Sequence, residues 1–222
     1  MNLLDLLFPK RCVSCGKFGD YICADCFSKI EFVEYPVCPV CSRQAIGGKT
    51  HPVCRTGLGL DGLIVACRYR GVVRQIVKAI KYKFAFDVAG LLVELVAANM
   101  WRFSVPQNFV LVPVPLSERR QNWRGFNQAQ VLSAVISRQY KVKAYDLLLR
   151  NRETKTQVGL DRESRNKNVR GAFSLKQGAS VIGKNIILVD DVYTTGATLA
   201  EAAKVLKRAG AGEVWAMAVA LD

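Results

Sequence analysis

The sequence predicts an α/β fold, a mainly parallel sheet with flanking helices, preceded by a small N-terminal metal-binding module. Three observations carry that expectation. Seven of the eight cysteines fall before residue 55, most of them in pairs separated by two residues. Beyond residue 60 cysteines become sparse, and short β-rich apolar runs alternate with segments of helical periodicity, the order that builds a parallel sheet. With 222 residues, 50% of them hydrophobic and 23% charged, the chain exceeds an average domain of roughly 150 residues by a small module and is too apolar for wholesale disorder. The expected division is residues 1–60 for the module and 61–222 for the α/β domain.

The module's pairs are Cys12 and Cys15, Cys23 and Cys26, Cys38 and Cys41, and finally His51 and Cys54. A C-x-x-C turn presents two thiolates to one ion, and a structural zinc needs four soft or borderline donors. Eight donors therefore fit two zinc ions. The simplest partition is sequential: Cys12, Cys15, Cys23 and Cys26 around the first, and Cys38, Cys41, His51 and Cys54 around the second. A cross-braced partition is also compatible with the spacing. The rival reading is a disulfide framework, but such frameworks suit small secreted domains, and the remaining chain needs no staples. A redox C-x-x-C would sit in a βαβ pattern that these pairs lack. His51 is the only histidine, and its H-x-x-C register makes it a ligand candidate. Cys67, alone in the run LIVAC, reads as a small buried hydrophobe.

In the larger domain, residues 63–70 read as the first strand. From Val72 the apolar set Val73, Ile76, Val77, Ile80 and Phe84 recurs at helical spacing, while Arg70, Arg74, Lys78 and Lys81 line another face. The run FVLVPVPL at 109–116 is short, β-rich and stopped by prolines, as a buried parallel strand is. A helix at 127–139 and a strand at 145–149 follow. Residues 184–191 read as a central strand, 196–209 as a helix ending at Gly210, and 213–221 as the last strand. The apolar stretch at 90–100 is broken by Glu94 and falls short of the roughly 18 to 20 residues a bilayer span needs, so no transmembrane helix is expected. Asp5 lies within the first Leu-rich segment and Lys10 and Arg11 follow it, the reverse of a signal peptide's charge order. A cytoplasmic protein is expected.

Lysine and arginine number 32 against 18 acids, a formal net charge of +14 that points toward polyanionic partners. Residues 115–176 alone hold fourteen bases and five acids. There, WRGF sets Arg124 among aromatics, and Arg162 and Arg165 follow. Such a surface could track phosphates and stack bases, which makes single-stranded DNA a candidate partner. The blander reading is a solvated face, with Trp123 and Phe126 anchoring the next helix in the core.

The most informative segment is IILVDDVYTTGAT, at 186–198. Four apolar residues drive a strand, two carboxylates stand at its carboxyl end, and a small hydroxyl-rich turn opens a helix. Open α/β sheets bind ligands at that place. Thr194, Thr195, Gly196, Ala197 and Thr198 present hydroxyls and backbone N–H groups at a helix N-terminus, which suits a phosphate. Asp190 and Asp191 would repel a phosphate but can accept hydrogen bonds from sugar hydroxyls or help to hold hydrated Mg²⁺. A ligand with both ribose and phosphate satisfies the two halves.

On VDDVYTTGAT the sequence resembles the type I phosphoribosyltransferases. The paired cysteines, KYK at 81–83, VPVPLSERR at 112–120, RGFNQ at 124–128 and RESRNKNVRGAF at 162–173 make it similar, over essentially the whole chain, to the ComF family. That family joins a double zinc ribbon to a phosphoribosyltransferase-like domain and includes proteins needed for DNA uptake in natural transformation. His51 departs from the cysteine more usual in the last knuckle. The resemblance implies a type I phosphoribosyltransferase-like fold that binds 5-phosphoribosyl 1-diphosphate with Mg²⁺, and competence or helicase proteins as partners. It implies that Asp190 and Asp191 bind the ribose hydroxyls and residues 194–198 the 5′-phosphate. Residues 113–120 resemble the diphosphate loop, with Arg119 or Arg120 as charge partners and Lys81 as a further substrate contact. Residues 155–168 resemble the mobile cover of such enzymes. Purine-salvage relatives commonly carry an aspartate at the position of Thr194. An acceptor here must therefore arrive unprotonated or use a base from elsewhere. The alternative reading is a non-catalytic DNA-binding or partner-docking module that keeps the pocket.

Overall fold

The central strands are buried along nearly their whole length, with none of the in-out alternation of a half-exposed sheet, because helices cover both faces. The computed structural model describes residues 9–80, 85–153 and 162–222. One helical turn, α1 (Ala24–Phe27), lies in the N-terminal module. The domain then runs β1 (Gly62–Arg68), α2 (Gly71–Ile80), α3 (Ala85–Ala97), β2 (Phe109–Pro113), α4 (Glu118–Arg124), α5 (Gln128–Tyr140), β3 (Leu148–Arg150), α6 (Arg162–Val169), β4 (Phe173–Leu175), β5 (Asn185–Tyr193), α7 (Ala197–Arg208) and β6 (Val214–Leu221).

Four strands form one parallel sheet in the order β1-β6-β5-β2. Ile76 of α2, Leu92 of α3 and Leu132 of α5 pack on one face against Ile187 and Met217. Leu199, Ala202 and Leu206 of α7 pack on the other against Ile186, Leu188 and Ala216. The helices that follow the neighbouring strands β2 and β5 thus leave to opposite faces, which opens a crevice between the carboxyl ends of those two strands. Trp215 is fully buried across from Gly62, where any Cβ would overlap the indole ring.

The module wraps the free edge of β1. Val33 N–H donates to the Ala66 carbonyl and Arg68 N–H to the Glu31 carbonyl, each at 2.8 Å, so the edge strand is paired and cannot template another chain. Cys12, Cys23 and Cys26 pack with the α2 face, and Val33 and Val37 with the α7 face. Arg102 clamps the wrap by donating to the carbonyls of Val33 and Glu34. Among the described residues no helix is long and apolar enough to cross a membrane.

Several elements differ from expectation. The strand expected at 145–149 is displaced to Leu148–Arg150 and pairs antiparallel with β4 in a separate two-stranded sheet. The helix α3 was not foreseen. Val88, Ala89, Leu92, Val93, Leu95 and Val96 are all buried between α2, α5 and the sheet, so a helix apolar nearly all round carries little amphipathic signal. Helix α4 starts after Ser117 and ends at Gly125 with φ +78°, a left-handed stop that the basic run obscured.

Candidate functional site

The cysteine pairs fold into two tight knuckle clusters. In each cluster the four candidate ligand atoms lie within 4.8 Å of one another: Cys12, Cys15, Cys23 and Cys26 in the first, and Cys38, Cys41, His51 and Cys54 in the second. The partition is sequential and not cross-braced. His51 Nδ1 faces Cys41 Sγ at 3.3 Å, and Nε2 lies 2.9 Å from the Gln44 carbonyl. That second bond orients the ring as a metal-ligating imidazole is usually oriented. Burial opposes ionisation of Cys12, but backbone N–H groups of Cys23, Cys15 and Ser14 outweigh it and draw the thiol down to about 6. Burial opposes Cys38 in the same way, and N–H groups of Cys41, His51 and Val40 prevail there too. The donors are thiolates and one imidazole with no carboxylate, the chemistry of a closed structural zinc site. Cys67 takes no part; it is fully buried in β1, and burial pushes its thiol up to about 12.

At the crevice, β5 runs two residues further than expected, because Val192 and Tyr193 still pair with Ala220 and Leu221 of β6. Asp190 and Asp191 therefore stand inside the strand, half-buried at its carboxyl end, with Asp191 N–H donating to Asp190 Oδ1 at 2.8 Å. The chain then turns through Thr194 and Thr195 to Gly196, whose φ of +73° starts α7 at Ala197. Thr195 Oγ1 accepts from Ala197 N–H at 3.4 Å, and Thr198 lies in the first turn of the helix. Across the crevice, Val114 N–H donates to the Val189 carbonyl at 3.0 Å, which ties the start of the loop after β2 to β5. Asn127 fixes the same loop from behind. Its Nδ2 donates to the Val114 carbonyl at 2.9 Å, and its Oδ1 caps α5 by accepting from Ala129 N–H.

Arginines gather beside the acids. Arg119 pairs with Glu153 at 3.7 Å, but both are exposed, so the pair is held weakly. Arg120 is half-buried; desolvation lowers its pKa, the Arg124 charge adds to the effect, and Glu153 opposes it. Desolvation also lowers Arg150, with Arg120 adding and Asp190 opposing. Arg150 was missed by sequence reasoning, although it closes the run LLLR at the end of β3, and its guanidinium lies 5.4 Å from the Phe173 ring. Partly desolvated cations that lie within electrostatic reach of one another favour an anion in their midst.

Arg124 turns inward and donates to Gln128 at 3.0 Å, while its Nε is buried without a hydrogen-bond partner among the described residues. Arg162 and Arg165 lie on α6. Lys81 and residues 155–161 of the expected cover lie outside the described residues. Phe126 packs against the core as expected, but Trp123 is 74% exposed and anchors nothing there. A cavity of about 270 Å³ between α3 and α5 also reaches Asp190. Its walls include Val93, Leu132, Met217 and Val219 and do not suit a charged sugar.

A double zinc ribbon domain family matches residues 3–56, and a phosphoribosyl transferase domain family matches residues 113–222. Competence protein F of Haemophilus influenzae is 30% identical over 231 residues, covering 95% of this chain and 97% of that protein. The DNA utilization protein YhgH of Escherichia coli K12 is 30% identical over 233 residues, covering 96% and 98%. Competence protein ComFC of Bacillus subtilis is 29% identical over 209 residues, covering 87% and 81%. Among solved structures, the glutamine phosphoribosylpyrophosphate amidotransferase of B. subtilis, complexed with ADP and GMP, aligns with 60% of this chain and 27% of its own. That alignment has 22% identity and a TM-score of 0.40.

Proposed function

The chain belongs to the ComF family, and from that premise we propose that it binds 5-phosphoribosyl 1-diphosphate with Mg²⁺ and transfers the phosphoribosyl group. One observation carries the reading: two carboxylates and a hydroxyl-rich helix start share one strand end, directly beside a cluster of half-buried arginines. The turn at Thr194, Thr195, Gly196, Ala197 and Thr198 would take the 5′-phosphate on its N–H groups and hydroxyls. Asp190 and Asp191 would accept from the ribose hydroxyls. Arg120 and Arg150, with Arg119 at the rim, would meet the diphosphate. Lys81 is a further proposed contact.

The half-buried carboxylates are hard oxygen donors of the kind Mg²⁺ selects, and they are the residues that would hold it. When bound, the ion supplies charge neutralisation on the departing diphosphate. In the reaction an acceptor's lone pair forms a bond to the anomeric carbon, and the bond from that carbon to the diphosphate oxygen breaks with its electron pair leaving on the diphosphate. The protein's part is positioning at both ends of the sugar and electrostatic stabilisation. No carboxylate stands at Thr194 to take a proton, so the proposed acceptor either arrives unprotonated or gives its proton to a base from elsewhere.

The proposed setting is the handling of incoming single-stranded DNA, with competence or helicase proteins as proposed partners; the names of the relatives, competence and DNA utilization proteins, fit DNA uptake. Zn²⁺ is the proposed ion of both knuckle clusters, residues 1–60 the proposed module and 61–222 the proposed transferase domain. The cytoplasm, where thiols stay reduced, is the proposed compartment. A second reading, DNA binding without turnover, is supported by exposed Arg119 and Trp123 one helical turn apart on α4. Arg162 and Arg165 are further proposed contacts of that reading, whereas inward-facing Arg124 would serve the diphosphate side.

Calorimetry separates the two readings. Mg²⁺-dependent binding of 5-phosphoribosyl 1-diphosphate that disappears in Asp190→Ala plus Asp191→Ala supports the first. No heat at millimolar ligand removes it. Salt-sensitive single-stranded DNA binding that survives those substitutions supports a separate nucleic-acid face.

A further inference from the structure

We propose that Tyr193 makes the second metal centre a positioning element of the sugar-phosphate turn, while the first centre plays no such part; the proposal rests on the phosphate-binding reading of that turn. Tyr193 is the last residue of β5 and is buried at 2% exposure. Its backbone is held by the sheet, where its carbonyl accepts from Asp222 N–H at 3.0 Å. Its phenol O–H donates at 2.6 Å to the carbonyl of Pro39, 154 residues away in the chain. Pro39 lies between Cys38 and Cys41, inside the knuckle whose four donors fit one zinc ion.

The same phenol underlies the turn. A Cβ at Gly196 would overlap the Tyr193 hydroxyl and ring, so the left-handed residue that opens α7 rests directly on the phenol. One rigid ring therefore touches the knuckle at its hydroxyl and the turn along its edge. The knuckle's own bonds are short and local: Ser42 N–H donates to the Cys38 carbonyl, and Cys38 N–H to the Arg43 carbonyl. Locally, His51 is tied to the first half by its bond to the Gln44 carbonyl at 2.9 Å and its contact with Cys41 Sγ at 3.3 Å; the metal their donors suit would add the tie that fixes all four ligands. Its loss would loosen the two halves against each other, and with them the Pro39 carbonyl that serves the phenol as acceptor. A phenyl ring in place of the phenol would fill the space but leave a buried carbonyl unpaired.

The first cluster packs on the opposite face of the sheet, among α2 residues. The two centres are thus unequal, and only the second communicates with the crevice. Coupling of this kind is reciprocal in binding free energy: whatever orders the turn should also tighten metal binding at the second centre, which we expect to be read as slower metal release.

The test uses the full chain loaded with zinc. In Tyr193→Phe one zinc ion should pass to a colorimetric chelator about fivefold faster, the loss expected for one buried hydrogen bond, while the other ion keeps its wild-type rate. 5-Phosphoribosyl 1-diphosphate with Mg²⁺ should slow release of that ion in wild type and lose the effect in the variant. Equal acceleration of both ions would indicate general destabilisation and overturn the proposal, as would two unchanged rates. If wild type binds no 5-phosphoribosyl 1-diphosphate, the transferase reading fails alone, and the coupling is still judged by the ligand-free release rates. Where the variant does not fold, amide exchange in wild type decides. Partial zinc removal should deprotect residues 194–198 in step with loss from the second centre, and exchange that ignores metal content would refute the coupling.

Discussion

Replacing Asp61 with alanine should cost the protein a large part of its stability. Asp61 stands at the junction of module and domain with its side chain only 7% exposed. It meets Lys207 Nζ at 2.6 Å and Arg55 Nη2 at 3.0 Å, and it accepts from Val214 N–H at 2.8 Å. Arg55 is 62% exposed, so its share is small. Lys207 is only 14% exposed, and removing its partner strands a buried charge, which costs about 3–5 kcal/mol. Lys207 also donates to the Gly212 carbonyl at 2.6 Å, and that bond survives the change. The loss should therefore sit near the low end, about 3 kcal/mol, orphaned Val214 N–H included. For a chain of this size the melting temperature should fall on the order of 10 °C.

The pH dependence follows from the same contacts. Burial alone would raise the Asp61 pKa, but Lys207, Val214 N–H and Arg55 hold it below the ordinary carboxylate value. A group depressed in the folded state contributes fully above its unfolded pKa of about 3.9 and loses that contribution as pH falls through the folded value. Urea unfolding of zinc-loaded protein, wild type beside Asp61→Ala and Asp61→Asn, measures both effects. The gap between wild type and Asp61→Ala should be widest at neutral pH and close below about pH 4. A loss under about 1 kcal/mol, or a gap that widens toward acid, would refute the reasoning.

Three further outcomes are expected. Gly196→Ala combines a left-handed φ with an overlap against Tyr193. It should lower stability by about 1–2 kcal/mol in urea unfolding and weaken 5-phosphoribosyl 1-diphosphate binding in calorimetry. Arg150→Gln should leave the melting temperature within a few degrees while weakening that ligand about tenfold, as loss of a charge-assisted bond does; unchanged affinity would take Arg150 out of the site. Metal analysis should find two zinc ions per chain. Chelation at neutral pH should unfold the module, seen as exposure of backbone amides in residues 9–60, and a chelator-resistant fold would contradict the structural role.

What could be read from the sequence divides along physical lines. Strands β1, β2, β5 and β6 were legible because a sheet covered on both faces needs near-continuous apolar runs, and the sharp turns after them are written in glycine and proline. The metal ligands were legible because two-residue spacing is dictated by the reach of two thiolates toward one ion. Their partition was not, since both pairings satisfy the spacing and only tertiary packing selects one. The acids and the hydroxyl-rich turn were legible as one local strand-turn-helix unit. Arg150 and Asn127 were not, because each acts across a gap in sequence. The Tyr193 bond to Pro39 spans 154 residues and leaves no local trace. Trp123 misled for the opposite reason: a large aromatic is usually a core residue, and nothing in WRGF shows that α4 turns it outward.

The most direct test of the central claim is a crystal structure of the protein with 5-phosphoribosyl 1-diphosphate and Mg²⁺. The 5′-phosphate should rest on the N–H groups and hydroxyls of residues 194–198, the ribose hydroxyls on Asp190 and Asp191, and the diphosphate among Arg120 and Arg150. A ligand bound elsewhere, or a phosphate that avoids the turn while the acids stay unengaged, would contradict it.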